Sequence, residues 1–205
     1  MSDAVEGLAE ELRAEAEREL PSEETPEIGI VMGSDSDLDV MVGAYEALTG
    51  LGFAEQTSFE EPPDERFTFE TYVVSAHRTP DLLYAYAETA AGRGLDVIVA
   101  GAGGKSADLP NMTASIAFPL PVIGVPVQEK SVDSVIGMPT GAPIVAVDAG
   151  KSHNAALSAV QILAREHDEL RERLETYHAD LREGVGTVSR ELHEGGTERF
   201  RAARE

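Results

Sequence analysis

Five short apolar runs, rich in β-branched residues, recur along this chain, and segments of helical character lie between most of them. "EIGIVM" (27–32) precedes 35–51, "FTFETYVVS" (67–75) precedes 80–93, and "DVIVAG" (96–101) precedes about 107–118. "PVIGV" (121–125) leads into a short segment, and "PIVAV" (143–147) precedes 151–165. Strands separated by helices cannot pair as hairpins. Each crossover brings the chain back in the same direction, which gives a parallel sheet with helices on both faces. The pattern predicts an α/β protein, a doubly wound αβα sandwich of three layers around a parallel sheet of about five strands.

The charges divide the chain in the same way. Of 38 acidic residues, the stretch 95–160 holds only Asp96, Asp108, Glu129, Asp133 and Asp148, so the middle reads as buried and the ends as solvated. Three parts follow: an acidic N-terminal extension over 1–25, an α/β domain over 26–165 and a C-terminal helical extension over 166–205. Within the first, Val5, Leu8, Leu12 and Leu20 stand among charges at near-helical spacing, which predicts a solvated acidic helix or a frayed tail. Residues 55–70, with Pro62 and Pro63 among acids, read as an exposed loop. In the last part Leu163, Leu170, Leu174 and Leu181 make one apolar stripe that could dock on a neighbouring subunit.

Composition excludes several functions. A chain of 205 residues with 42% hydrophobic content can bury one sizeable core. Its net charge of −22 repels nucleic acid and anionic membrane, and reads as adaptation to high salt. Lys105, Lys130 and Lys151 are the only lysines. The absence of cysteine removes disulfides, thiolate catalysis and Cys-type zinc sites. No apolar run reaches membrane-spanning length, and the charged N-terminus lacks the apolar centre of a signal peptide, so a cytoplasmic protein is expected.

In an open α/β sheet, ligands bind beyond the carboxyl ends of the strands, where helix N-termini also present free N–H groups. The unusual residues of this chain fall there. "GSDSD" (33–37) offers Gly33 for a tight turn, then Ser34, Asp35, Ser36 and Asp37, all helix-capping types. "VVSAHRTPD" (73–81) carries Ser75, His77 and Arg78 before a Thr79–Pro80 helix start. Gly101, Gly103 and Gly104 in "GAGGKSADLPNM" (101–112) let backbone approach a ligand closely, and "DAGKSHNAA" (148–156) follows the fifth run. The expected ligand is a phosphate, because so acidic a protein holds an anion only where N–H groups, hydroxyls and a local Arg outweigh the global field. Arg78 supplies that charge. There is no "GxxxxGK[ST]", and "GAGG" lacks the last glycine of the dinucleotide fingerprint, so nucleoside triphosphate and NAD sites are unsupported. His77 is the candidate acid–base residue, since imidazole suits proton exchange near neutrality; its alternative is a partly exposed turn residue. His153 is a weaker candidate, and His167, His178 and His193 lie in charged, solvated segments.

Taken together, "MGSDSD" (32–37), "VVSAHRTPD" (73–81), "IVAGAGG" (98–104), "LPNM" (109–112), "PVIGVPV" (121–127), "VDS" (132–134), "MPTGAP" (138–143) and "NAAL" (154–157) resemble the N5-carboxyaminoimidazole ribonucleotide mutase family over about residues 27–165. The resemblance implies a flavodoxin-like sandwich, a homo-octamer with active sites at subunit contacts, and no metal or organic cofactor. It implies an isomerase of purine biosynthesis acting on a small ribonucleotide with carbon dioxide as an intermediate. Ser34 and Asp37 would hold the phosphate and ribose region, Ser75 and Arg78 the phosphate, and His77 would be the general acid–base. Gly33, Ser36, Ala76, Gly103, Gly104 and Lys105 complete the expected substrate contacts, with the 101–104 loop closing over carbon dioxide.

The chain departs from that pattern. The family's "GAGGAAHLPGM" becomes "GAGGKSADLPNM", one residue longer, with Lys105 introduced and Asp108 where a histidine is expected. The segment between "GVPV" and "MPTG" is also shorter. Two alternatives therefore stay open: direct carboxylation of aminoimidazole ribonucleotide with carbon dioxide, and a non-catalytic sugar-phosphate-binding module.

Overall fold

The computed structural model describes residues 3–18, 20–21 and 24–204; Met1, Ser2, Glu19, Ser22 and Glu23 of the expected N-terminal extension, and Glu205, lie outside the described residues. The first apolar run becomes β1 (Ile28–Met32), buried at all five positions between β3 (Thr68–Val73) and β4 (Val97–Ala102). Ile28 stands opposite both Phe69 and Val97. A strand covered on both faces has to be apolar at every residue, which is why "IGIVM" shows no alternation. β5 (Val122–Pro126) pairs with β4, and the two-residue β6 (Val145–Ala146) closes that edge. At the other edge β2 (Ala54–Glu55) pairs Ala54 with Thr68. The order is β2-β3-β1-β4-β5-β6, with every pair parallel. The sheet thus has six strands. The sixth, β2, touches the segment expected as loop, and two residues are too few to leave a periodic signal.

Helices cover both faces. α2 (Leu38–Gly50) and α6 (Ser152–Leu163) pack on each other, and α3 (Pro80–Thr89) lies against α4 (Leu109–Ile116), which in turn meets α5 (Val132–Ile136). The buried ion pair between Glu70 and Arg93 has Arg93 Nη1 2.5 and 2.6 Å from the two carboxylate oxygens. Because a buried charge is costly alone, the pair and the Tyr86 carbonyl at 3.2 Å from Arg93 Nη2 satisfy each other.

α1 (Ala4–Ala16) overturns the expectation of a solvated helix. Leu12 is fully buried and Ala9 nearly so, in one cluster with Leu82, Leu83, Tyr86 and Ala90, and Arg13 Nε reaches Glu88 Oε1 at 3.3 Å. The stripe that looked too thin for docking is enough because α3 is itself apolar on its outer side, so α1 completes a layer. Asp3 caps it by accepting the N–H groups of Val5 and Glu6 at 2.9 Å.

The chain divides into two compact units, Met1–Leu163 and Ala164–Glu205. The second consists of α7 (Asp168–Gly195) and α8 (Thr197–Ala202). Along α7, Leu181, Val185, Val188 and Leu192 are exposed. Among the described residues no helix is long and apolar enough to cross a membrane.

Candidate active site

The topology puts the switch point of the sheet at β1 and β4: the chain leaves β1 toward β3 on one side, then crosses to β4 on the other. A crevice opens there beyond the strand carboxyl ends. Gly33 N–H donates to the Gly101 carbonyl at 3.0 Å, joining the turn after β1 to the end of β4. The crevice holds a cavity of about 440 Å³, lined by Gly33, Ser34, Ser36 and Asp37 after β1, and by Ser75, Ala76, His77 and Arg78 after β3. Gly103 and Gly104 come from the loop after β4.

The first loop does more than start a helix. Ser34 Oγ accepts the Ser36 N–H at 3.4 Å and caps the short turn Asp35–Asp37 that leads into α2. Asp37, at the N-cap position of α2, makes no side-chain cap. Its buried carboxylate faces the β4 loop instead, where a Cβ placed on Gly103 would come 3.0 Å from Oδ1. A methyl there would crowd the carboxylate, so glycine is the residue that lets the two loops approach. Burial pushes the Asp37 carboxyl above its usual range, against the opposing pull of the Ser34, Gly103 and Gly33 N–H groups and of Arg78.

The second loop is a closed turn. Thr79 N–H donates to the Ser75 carbonyl at 3.0 Å, and Thr79 Oγ1 accepts the Ser75 N–H at 3.0 Å. Thr79 therefore binds its own turn rather than capping α3, which starts with Pro80. Ser75 Oγ accepts both the Arg78 N–H at 3.2 Å and Arg78 Nε–H at 3.3 Å, while Arg78 Nη2 donates to the Gly33 carbonyl at 3.1 Å. The guanidinium is thus fixed beside the first loop. His77, with its side chain 61% exposed, places Nε2 3.0 Å from Asp108 Oδ2.

Lys105 is exposed outside this lining. Gly104, at φ +88, takes the left-handed conformation immediately before Lys105, and the chain re-enters the lining at Ser106 and Asp108. Gly101 also has a packing duty: a Cβ on it would clash with Met41 Sδ. The fourth loop (148–156) does not line the cavity, and neither does His153 beside it. Ser152, next to it, packs on α2, its hydroxyl donating to the Val40 carbonyl at 2.5 Å.

Sequence reasoning passed over other lining residues, Ser106, Leu109, Gln128 and Lys130 among them. Gln128 and Lys130 follow β5, so the rule that pointed to the other loops would have found them had "PVQEK" been read as a strand end. Lys105, expected among the substrate contacts, is absent from the lining, and Lys130 is present in it. A larger hollow of about 550 Å³ lies between α1 and the 56–60 loop. Among the described residues Glu11, Glu15 and Glu60 line it against one cation, Arg18, which is 2.8 Å from Glu15, so its charge disfavours an anion.

Residues 27–184 match the family model described as AIR carboxylase, more than three quarters of the chain. The chain belongs to the AIR carboxylase family. A relative from Pyrococcus horikoshii, named N5-carboxyaminoimidazole ribonucleotide mutase, is 40% identical over 183 residues, covering 86% of this chain and 94% of that protein. One of the same name from Mycobacterium tuberculosis is 45% identical over 160 residues, covering 75% and 83%. Among solved structures, Treponema denticola PurE superposes with a TM-score of 0.64 at 19% identity, over 82% of this chain and 98% of that one, which supports the shared fold. The match takes in all four loops that line the cavity, after β1, β3, β4 and β5, and all of β1 to β6.

Proposed function

We propose that this protein interconverts N5-carboxyaminoimidazole ribonucleotide and 4-carboxyaminoimidazole ribonucleotide in purine biosynthesis, with His77 as the general acid–base. The observation that carries the reading is the position of His77, one residue from the Ser75–Arg78 anion grip and facing the same cavity as the Gly103–Gly104 loop. The relatives' names support the reaction. A ribonucleotide offers a phosphate to Arg78 and Ser75, a ribose to Asp37 and Ser34, and an imidazole ring to His77. The working form under this reading is a homo-octamer.

The chemistry closes on itself. Protonated His77 gives its proton to the exocyclic nitrogen as the N–C bond breaks and carbon dioxide leaves. Ring carbon C4 attacks the trapped carbon dioxide, forming a C–C bond, and neutral His77 then removes the C4 proton, restoring the aromatic ring. The proton consumed in the first step is recovered in the last. Trapping replaces a bimolecular encounter with a positioned one.

His77→Asn tests the reading. Asn keeps a polar group of similar size and removes the titrating one, so turnover of the N-carboxylated substrate should fall by roughly 10²–10⁴ while ligand affinity holds. Near-normal turnover in the folded variant would remove His77 from the mechanism. Offering aminoimidazole ribonucleotide with bicarbonate to the unmodified protein, without ATP, separates direct carboxylation, the reading that the altered loop around Asp108 keeps in play.

A further inference from the structure

We propose that Asp108 is a positioning residue for His77: braced by Ser134, its carboxylate keeps one imidazole proton on Nε2, so that Nδ1 is the nitrogen that gives and takes the travelling proton. This rests on the acid–base reading of His77 given above.

Asp108 occupies the N-cap position of α4, where an aspartate ordinarily accepts the helix's own N–H groups. It does not. Its backbone is already helical, at φ −82 and ψ −14, and the side chain makes no cap hydrogen bond. The carboxylate is turned to other partners. Oδ2 lies 3.0 Å from His77 Nε2, and Oδ1 accepts the Ser134 hydroxyl at 3.3 Å. Ser134 is held in turn by its carbonyl, which accepts Asn111 Nδ2–H at 2.6 Å. The chain Asn111–Ser134–Asp108–His77 therefore ties α4 and α5 to the β3–α3 turn, with the imidazole at its end.

A neutral imidazole can carry its proton on either nitrogen, and a partner on one nitrogen decides which. A carboxylate accepts and cannot donate, so beside Asp108 the proton belongs on Nε2. The reaction described above needs one nitrogen to lose a proton to the exocyclic nitrogen and regain one from C4. With Nε2–H held by Asp108, both transfers use Nδ1, and the ring need not turn between them. The imidazolium present before the first transfer and after the second is paired with the same carboxylate. Among the described residues, the other charged groups lining the cavity are Arg78 from the same turn, Asp37 before α2 and Lys130 after β5. Arg78 and Lys130, being cations, cannot accept Nε2–H, and Asp37 is turned to the Gly103 loop.

The test uses the full chain carrying ¹⁵N-histidine, with the His77 signals identified by their loss in His77→Asn. At a pH where the imidazole is neutral, the native protein should show His77 protonated on Nε2, and Asp108→Ala should show a mixture of both tautomers. In steady-state assays with the N-carboxylated substrate, Asp108→Ala should lower kcat by about 10²-fold, the scale of lost orientation, and leave KM within about threefold. Unchanged His77 signals in Asp108→Ala would overturn the proposal. So would a raised KM with retained kcat, which would make Asp108 a substrate-binding group. Asp108→Leu, which fills a similar volume and cannot accept Nε2–H, carries the same comparison if the alanine variant does not fold. Should the native protein convert neither substrate, the functional reading fails while the tautomer comparison still decides the role of Asp108.

Discussion

Replacing Arg78 by alanine tests the proposed anion grip separately from the chemistry. In the native site the guanidinium spans two loops, with Nη2 3.1 Å from the Gly33 carbonyl and Nε 3.3 Å from Ser75 Oγ. Neither bond is buried, and surface losses of this kind are generally within about 0.5 kcal/mol, so the variant should fold with nearly unchanged Tm. The effect belongs to binding. A charge-assisted hydrogen bond to an anion contributes roughly 1.5–3 kcal/mol, and about 1.4 kcal/mol is tenfold in affinity. Arg78→Ala should therefore raise KM by about 10- to 100-fold. Under the proposed reading the phosphate is held alike in ground and transition states, so kcat should stay within about threefold. Arg78→Lys should fall between, keeping the charge and losing the planar fork. Steady-state kinetics with the N-carboxylated substrate reads both parameters, and competition by inorganic phosphate gives a separate measure of the grip. An unchanged KM in Arg78→Ala would show that the anion sits elsewhere, and the loop geometry argued above would have no bearing on substrate.

Two further predictions concern the scaffold. Burial pushes the Glu27 carboxyl up to about 7, against the opposing effects of the Thr68 N–H at 2.8 Å and Arg66 at 2.6 Å. The folded state thus keeps a proton that the unfolded chain releases near 4.5, so this group's stabilisation is complete below that pH and is lost as pH rises through 7. At about 1.4 kcal/mol per pH unit, the native protein should lose about 3 kcal/mol relative to Glu27→Gln between pH 4.5 and 8. Parallel stability curves from urea unfolding would refute it. Leu12→Ala should lower unfolding free energy by about 2–5 kcal/mol, as for a fully buried leucine, with a matching drop in Tm. No change would return α1 to the solvated helix that its charges suggest.

The layered fold was legible because it depends on local pattern. "IGIVM" and "VIVAGA" are apolar at nearly every position because central parallel strands are covered on both faces, and that requirement acts on each residue independently. The capping and glycine residues at strand ends were legible for a related reason: a turn imposes its backbone demands on the residues that make it. So Ser34, Ser75, His77 and Arg78 could be assigned to one kind of site before any coordinates.

Other features depend on distances across the sequence, and there local pattern is silent. α1 docks because α3, some 75 residues away, presents an apolar outer side; nothing within residues 3–18 encodes that. Lys105 and Lys130 look equally suitable as strings of letters, and only the folded course of the loops after β4 and β5 leaves the first outside the cavity lining and brings in the second. Asp37 reads as a cap and Asp108 as an odd residue in a glycine loop. Their partners, Gly103 for one and His77 with Ser134 for the other, become visible only when β4 is laid beside β1 and α5 beside α4. The sequence by itself determined which local conformations were available. The tertiary structure decided which side chains meet, because that depends on the pairing of strands β3-β1-β4-β5, a property of the whole chain that no single stretch carries.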